Sequence, residues 1–417
     1  MVIGDRRYIH VDKACPGKRI ALFFAKGAAA YAHLSEPGPW FGVQVQGSLA
    51  QTRSSDSPSE SAKVPPQKES APRKEAGISQ NRYTTGLVTG APQSTEFAIA
   101  QEIATTLATG QEAGPHGEMA LRVMPMVGND GNHNILDILT LAGADMAIAP
   151  VVLVDRLREA RTFGDISGKL AYIAPLFTEE FHLLARPEIK TLTDLTGKTV
   201  NLGEEGGASA ILGREVFNRL DVKIKEVNLG PDAALNRMRI GQVFATLLVS
   251  GKPVNLLARY AQPDSIHFLH FLPVPASPAL EHDYLPTTLS HDDYPDIIAA
   301  GERVDTIAVQ TALFAYNWSI RSERFRLLES FVQTFFSRFP EFLDDSHHPK
   351  WREVNLAARL PGWQRFGPAE RWLQRPSAGE AAISGAMDEF LRRNPNLPHR
   401  EELLKDFQWL LKSKQGR

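Results

Sequence analysis

Between Val200 and Ala210 a short apolar run gives way to glycines and then to helix-forming residues, in the order Val-Asn-Leu-Gly-Glu-Glu-Gly-Gly-Ala-Ser-Ala. A strand that breaks into glycines and restarts as a helix leaves the helix's first backbone N–H groups unpaired at the mouth of a sheet. With the small hydroxyl of Ser209 beside them, such a turn suits an anionic or polar small molecule. Gly206 and Gly207 permit close backbone approach, and Ser209 has two open readings, a ligand contact or a helix cap. The plain alternative is a tight turn that holds nothing. The full Gly-x-x-x-x-Gly-Lys-Ser/Thr arrangement is absent, and Glu204 and Glu205 oppose dense negative charge, which argues against a nucleotide phosphate loop.

The same strand-to-helix change recurs along the chain. Tyr83 to Thr89 reads as a strand broken at Gly90-Ala91-Pro92, and Thr95 to Leu107 as a helix capped by Ser94 or Thr95. Leu121 to Val127 is a second strand despite Pro125; it runs into the polar loop Gly128 to Asn134, after which Ile135 to Leu141 is helical. Asp145 to Ile148, Leu170 to Ala174 and Phe181 to Ala185 read as short strands. A second cycle follows: strand Thr199 to Leu202, helix Ala208 to Leu220, strand Lys223 to Asn228, helix Pro231 to Ile240 and strand Val243 to Val249. His267 to Leu272 and Thr306 to Tyr316 add strands, the latter crossing back to the first lobe, and Arg324 to Phe339 is an amphipathic helix. Serial units of this kind make an α/β fold with open sheets and ligand loops at the carboxyl ends of the strands. No internal sequence repeat is visible.

The N-terminal 80 residues differ. Lys18 to Ala32 has the outline of an export signal, two basic residues, an apolar run from Ile20 and small residues near Ala30, although Lys26 interrupts the run. Gln51 to Gln80 is rich in Ser, Pro, Lys and Glu and too poor in large apolar residues to order itself, so it reads as a flexible linker. The single cysteine, Cys15, lies in this stretch, so disulfides and thiolate metal clusters do not hold the core. Balanced charge, 46 Lys and Arg against 48 Asp and Glu, gives no cationic field for nucleic acid. No apolar run reaches the length of a bilayer span.

The order and spacing of Thr89-Gly90, Gly128-Asn129-Asp130-Gly131-Asn132, Gly143-Ala144-Asp145-Met146-Ala147, Ala174 to His182, Leu192 to Val200 and the glycine turn resemble the TAXI family, the solute-binding proteins associated with TRAP transporters. The resemblance covers about Arg82 to Tyr316. It implies a two-lobed periplasmic binding protein-like fold, type II-like, with hinge crossovers. The lobes would be 81–176 and 177–284, with a return to the first lobe at 285–345 and a C-terminal helical extension over 346–417. It also implies capture of a small polar solute, a carboxylate or amino acid, by an extracytoplasmic receptor that serves a TRAP-type membrane permease.

Several residues are candidates to hold such a solute. Asn129, Asp130 and Asn132 offer both donors and acceptors, though their ordinary role is a solvent-facing turn. Gly90, Thr95 and Phe97 contribute from the first loop, where capping and core packing are the alternatives. Thr178 and Glu179 lie at the expected lobe crossing, and Ser250 with Lys252 forms another rim, at which Lys252 either neutralises a carboxylate or stays hydrated. Glu96 near the cleft disfavours a simple anion. No nucleophile motif is present, and His347-His348 reads as a polar turn, so no catalytic residue, metal or cofactor is expected. Two other functions remain open at this stage: a small-molecule transferase or hydrolase on the same scaffold, and a ligand-sensing interaction protein.

Overall fold

The computed structural model describes residues 83–109, 121–129, 131–260 and 268–375, Arg392, Lys405 and two strands nearer the N-terminus. Those strands, β1 (Ile20–Ala25) and β2 (Ala28–His33), pair antiparallel within the stretch read as an export signal. Residues 1–69 form a unit of their own. The end of the expected C-terminal helical extension, 376–417, falls, but for Arg392 and Lys405, outside the described residues.

The rest is built on one βαβαβ topology used twice. In the first copy β3 (Thr84–Thr89), α1 (Thr95–Ala108), β4 (Arg122–Val127), α2 (Gly131–Thr140) and β5 (Ala144–Pro150) follow in order, and β3 lies between its parallel neighbours β4 and β5. Pro125 is tolerated because β4 is the edge strand. α3 (Val151–Ala160) then leads into β6 (Leu170–Ala185). In the second copy β7 (Thr199–Asn201), α4 (Ala208–Arg219), β8 (Lys225–Val227), α5 (Pro231–Arg239) and β9 (Ala245–Ser250) repeat the pattern, with β7 between β8 and β9. The sequence repeat is invisible because only the alternation of strand and helix is shared.

After α6 (Asn255–Tyr260), the short strand β10 (His270–Phe271) pairs with β6, and β11 (Leu285–Ser290) pairs with the long β12 (Arg303–Tyr316). β6 and β12 lie antiparallel at the centre of the sheet and join the two halves. The later half of β12 pairs with β5, from Thr311 opposite Pro150 to Ala315 opposite Met146. The later half of β6 pairs with β9, from Glu180 opposite Ser250 to Ala185 opposite Ala245. The change of lobe therefore falls around Thr178 to Glu180 and Ala308 to Thr311. Register shifts at Gln310/Ala312 and Leu313/Phe314 mark β12 there, the kind of irregularity that bends a strand.

This corrects one expectation. Leu170–Ala174 and Phe181–Ala185 are not two strands but the ends of one. Polar Thr178-Glu179-Glu180 interrupts the apolar pattern in sequence, yet it continues the ladder, with Glu353 and Lys350 from a distant segment pairing with Thr178 and Glu180. α3 and β11 were also missed. The Val-Val-Leu-Val start of α3 has strand-like composition, and Pro286 in β11 argues against a strand that, among the described residues, pairs on one side alone, with β12.

Each half of the sheet is covered on both faces. Ile99, Ile103, Phe331, Val332 and Phe335 pack in one first-lobe core, and Ile135, Ile138, Val154 and Phe314 in the other. Leu202, Leu212, Val216 and Leu247 fill one side of the second lobe, and Leu235, Met238, Leu257 and Phe271 the other. α7 (Glu323–Ser337) presents the apolar side expected of it, capped by Ser322, whose Oγ accepts from the Phe325 N–H. The chain beyond it adds a 3-10 turn at Pro349–Glu353 and α8 (Gly367–Leu373). Trp351, Phe366 and Ala369 from this stretch are buried in the same core as α1 and α7.

Candidate ligand-binding cleft

The two βαβαβ units face each other with the carboxyl ends of their strands, and a cavity of about 370 Å³ lies between. Its wall comes from both lobes. Ala91, Gln93 and Ser94 follow β3; Gly128 and Asn129 follow β4. Gly203, Glu204, Gly207 and Ser209 follow β7, Gly230 to Ala233 follow β8, and Leu248 to Ser250, Val254 and Leu256 come from β9 and the chain after it. Crevices outside the carboxyl ends of strands are where open α/β sheets take ligands, because helix N-termini and loop N–H groups gather there. The N-caps of α4 and α5 are Gly207 and Gly230, which have no side chain to cap with, and both line the cavity.

The turn that dominates the sequence meets the opposite lobe directly. Asn129 Nδ2 donates to the Glu205 carbonyl at 3.3 Å. Gly206 takes the left-handed conformation, φ +80°, and a Cβ there would stand 2.9 Å from His133 Cε1 on α2. Glycine is required on both counts. Of the two readings of Ser209, the helix cap is not the one found: Gly207 caps α4, and Ser209 Oγ accepts from the Val249 N–H at 2.9 Å. It still lines the cavity, with its hydroxyl tied to the neighbouring strand.

A second meeting of the lobes lies at the start of α1. Thr95 N–H donates to Ser250 Oγ at 3.3 Å, and Thr95 Oγ1 donates to the Gly251 carbonyl at 2.6 Å. Ser250 lines the cavity, and Thr95 is buried behind it.

Of the residues singled out in sequence, Asn129, Gly207, Ser209 and Ser250 share the cavity wall. Gly90, Thr95, Asn132 and Gly206 adjoin those residues in the same loops or contacts. Phe97 lies further along α1, where its N–H is taken by the Ser94 cap. Thr178 and Glu179 lie on β6 at the crossing, outside the wall: Thr178 Oγ1 donates to Glu353 Oε2 at 2.9 Å, and Glu179 is buried opposite Val309. Lys252 is no rim cation, since its ammonium donates to Asp293 Oδ2 at 3.0 Å and to the Thr288 carbonyl at 2.7 Å. Asp130 is outside the described residues.

Sequence reasoning missed His133, Gln93, Gly230, Asp232 and the apolar floor of Leu248, Val249, Val254 and Leu256. The signal for Gly230 to Ala233 was present, since Leu229-Gly230-Pro231 repeats the strand-glycine-helix order of the opening turn. Val254 is held by a partner far off in sequence: its N–H donates to Tyr294 Oη at 2.9 Å, and that hydroxyl pairs with His182 Nε2 at 2.7 Å. Burial pushes the His182 imidazole down to about 3. Among the described residues the wall holds Glu204 and Asp232 but no Lys, Arg or His, so the donors it offers a negative group on a ligand are uncharged: backbone N–H groups, hydroxyls and the amides of Gln93 and Asn129.

The two histidines read as a polar turn both find partners. His347 Nε2 pairs with Thr106 Oγ1 at 3.2 Å, and the His348 N–H donates to Glu102 Oε1 at 3.0 Å. Among the described residues no group of three or more His, Cys, Asp or Glu could hold a metal, and no helix is long and apolar enough to cross a membrane.

Two lobes of the same topology, linked by paired crossing strands and facing one cavity, define a two-lobed α/β fold like that of the periplasmic binding proteins. The chain belongs to the NMT1-like family, whose pattern matches residues 87–357. It is similar to a mutant of ArgBP from T. maritima, at 16% identity over 65% of this chain and 96% of that one, with a TM-score of 0.39. It is also similar to the alkanesulfonate-binding protein SsuA from Xanthomonas axonopodis pv. citri bound to MOPS, at 13% identity over 76% and 95% of the two chains, with a TM-score of 0.37. No curated protein matches the sequence.

Proposed function

We propose that this protein is an extracytoplasmic receptor of the TAXI kind, which captures one small polar solute by lobe closure and presents it to a TRAP-type membrane permease. The observation that carries the reading is the cavity of about 370 Å³ walled by carboxyl-end loops of both lobes. A volume of that order suits a metabolite and not a macromolecule. Family membership over residues 87–357 supports the same reading. Export by the segment around Ile20 would place the receptor outside the cytoplasm, with the linker before Asn81 as its tether.

Capture is reversible and needs no covalent step. Polar loops replace the solute's hydration, and the solute favours closure only by the extra contacts that it makes in the closed form. An amino acid fits the wall better than a simple carboxylate. The N-termini of α4 and α5 suit a carboxylate, Glu204 and Asp232 suit an ammonium, and Leu248, Val254 and Leu256 suit an aliphatic body.

Native mass spectrometry of gently purified protein, then identification of any bound molecule and calorimetric titration with it, tests the reading. The expected result is a small polar metabolite bound at one site per chain and recovered unchanged. Conversion of that molecule into a product would overturn the receptor reading in favour of an enzyme.

A further inference from the structure

Behind the Ser250–Gly251 wall lies a buried ion pair that the cavity itself does not use. Lys350 extends from the 3-10 turn at Pro349–Glu353, which Trp351 fixes to the first lobe: its Nε1 donates to Glu102 Oε2 at 2.5 Å, and its ring lies 4.4 Å from that of Phe342. The Lys350 ammonium donates to Glu180 Oε1 at 2.6 Å, Glu353 Oε1 at 2.7 Å and Thr178 Oγ1 at 3.2 Å, which uses all its protons. The side chains of Lys350 and Glu180 are each 1% exposed. Glu180 sits where β6 changes lobe, and its other oxygen accepts from the Lys252 N–H at 3.0 Å.

The stem of Lys350 completes the connection. A Cβ at Gly251 would stand 3.2 Å from Lys350 Cγ and Cε and 2.8 Å from Thr95 Cγ2, so Gly251 is clasped between a first-lobe helix and this lysine. One continuous set of contacts thus runs from Trp351 through Lys350 and Glu180 to Lys252, Gly251 and Ser250, and returns to the first lobe at Thr95.

We propose that Lys350 is a positioning residue for closure: paired with Glu180 at the hinge, it holds the Ser250–Gly251 wall against Thr95 and so sets the balance between closed and open lobes. Without the ammonium, buried Glu180 has only Thr178 and the Lys252 N–H to support a negative charge, so an ionised carboxylate in the closed form is costly. Opening relieves that state by letting water reach the carboxylate. The purpose of the closure rests on the receptor reading above, whereas the balance itself can be read with no solute added.

The test places spin labels on the full chain, with Cys15→Ser and cysteines at exposed Gln101 in α1 and Asn236 in α5, and reads the distance distribution by pulsed electron spin resonance. The unliganded parent chain should show a short-distance population. Lys350→Met, which keeps the stem, should lower the ratio of short to long distances at least about tenfold. Glu180→Gln with Lys350→Met removes both charges and should restore the ratio, which loss of packing alone would not do. A parent chain with no short population, an unchanged ratio in Lys350→Met, or no recovery in the double variant would each overturn the proposal. If Lys350→Met does not fold, Glu180→Gln alone decides: a lowered ratio supports the proposal and an unchanged one overturns it. Opening by Lys350→Met in a chain that captures no solute would leave this proposal standing and remove the receptor reading.

Discussion

Where the turn after β7 meets the loop after β4, the lobes touch through backbone, glycine and an exposed amide. Where the end of β9 meets α1, they touch through hydroxyls backed by a buried ion pair. The first contact depends on shape, since Gly206 leaves 2.9 Å between a would-be Cβ and His133. The second depends on charge balance, since Lys350 and Glu180 are both shut off from water. Shape-limited contacts respond to added atoms and are indifferent to pH. A buried polar set responds to lost atoms and to protons.

The largest expected difference is in acid. Burial pushes the His348 imidazole down from 6.5 to about 4, beside Lys350 and against the pull of the Pro253 carbonyl and Glu353. Its charged form is disfavoured on folding, so between 6.5 and about 4 the unfolded chain binds the proton more readily. Stability from this group is therefore complete above pH 6.5, declines as the pH falls and is gone below about 4. The loss should be up to about 3 kcal/mol. Urea unfolding across that window should show the slope, and His348→Gln should reduce it without abolishing it, because His182, lowered from 6.5 to about 3, loses stability over the same window and continues to do so at lower pH. An equal slope in His348→Gln would remove His348 as its source.

Next in size is Gly206→Ala. The left-handed backbone should lower stability by about 1 kcal/mol, and the clash with His133, which exists only when the lobes meet, should weaken solute affinity about tenfold. Adding His133→Ala should restore affinity and leave the stability loss in place; recovery of neither would show that the two lobes do not meet there.

Ser209→Ala leaves the Val249 N–H without its acceptor. A loss of about 1 kcal/mol in stability, with affinity falling alongside, is expected from unfolding and calorimetry. A loss of affinity with unchanged stability would mean that Ser209 serves the solute rather than the strand. Asn129→Ala should have the smallest effect: its amide is exposed, so affinity should fall only about threefold, with no change in melting temperature.

Much of the scaffold was legible because local patterns carry it. The strand-glycine-helix order at Val200 to Ala210, a cap at Ser94 or Thr95 and the apolar side of α7 are short-range signals, and the structure has the first and last of them and puts the cap at Ser94. Part of the cavity wall followed from the same signals, since Asn129, Gly207, Ser209 and Ser250 all lie just past or at strand ends. The rear contact was illegible for the opposite reason. Lys350 and Glu180 are 170 residues apart, and each alone reads as a surface charge. The continuity of β6 through Thr178-Glu179-Glu180 was hidden for the same cause, because the partners that make a polar stretch tolerable in a central strand come from distant segments. Lys252, read as either neutralising a carboxylate or staying hydrated, was claimed instead by Asp293 and the Thr288 carbonyl, which no local pattern announces.

The central claim is that loops from two lobes close around one solute. The most direct measurement is the distance between the labels at Gln101 and Asn236 while the solute identified by native mass spectrometry is titrated in. A saturable gain of the short distance, with half-effect at the calorimetric affinity, is predicted; a solute that binds at full stoichiometry while the distribution stays unchanged would contradict it.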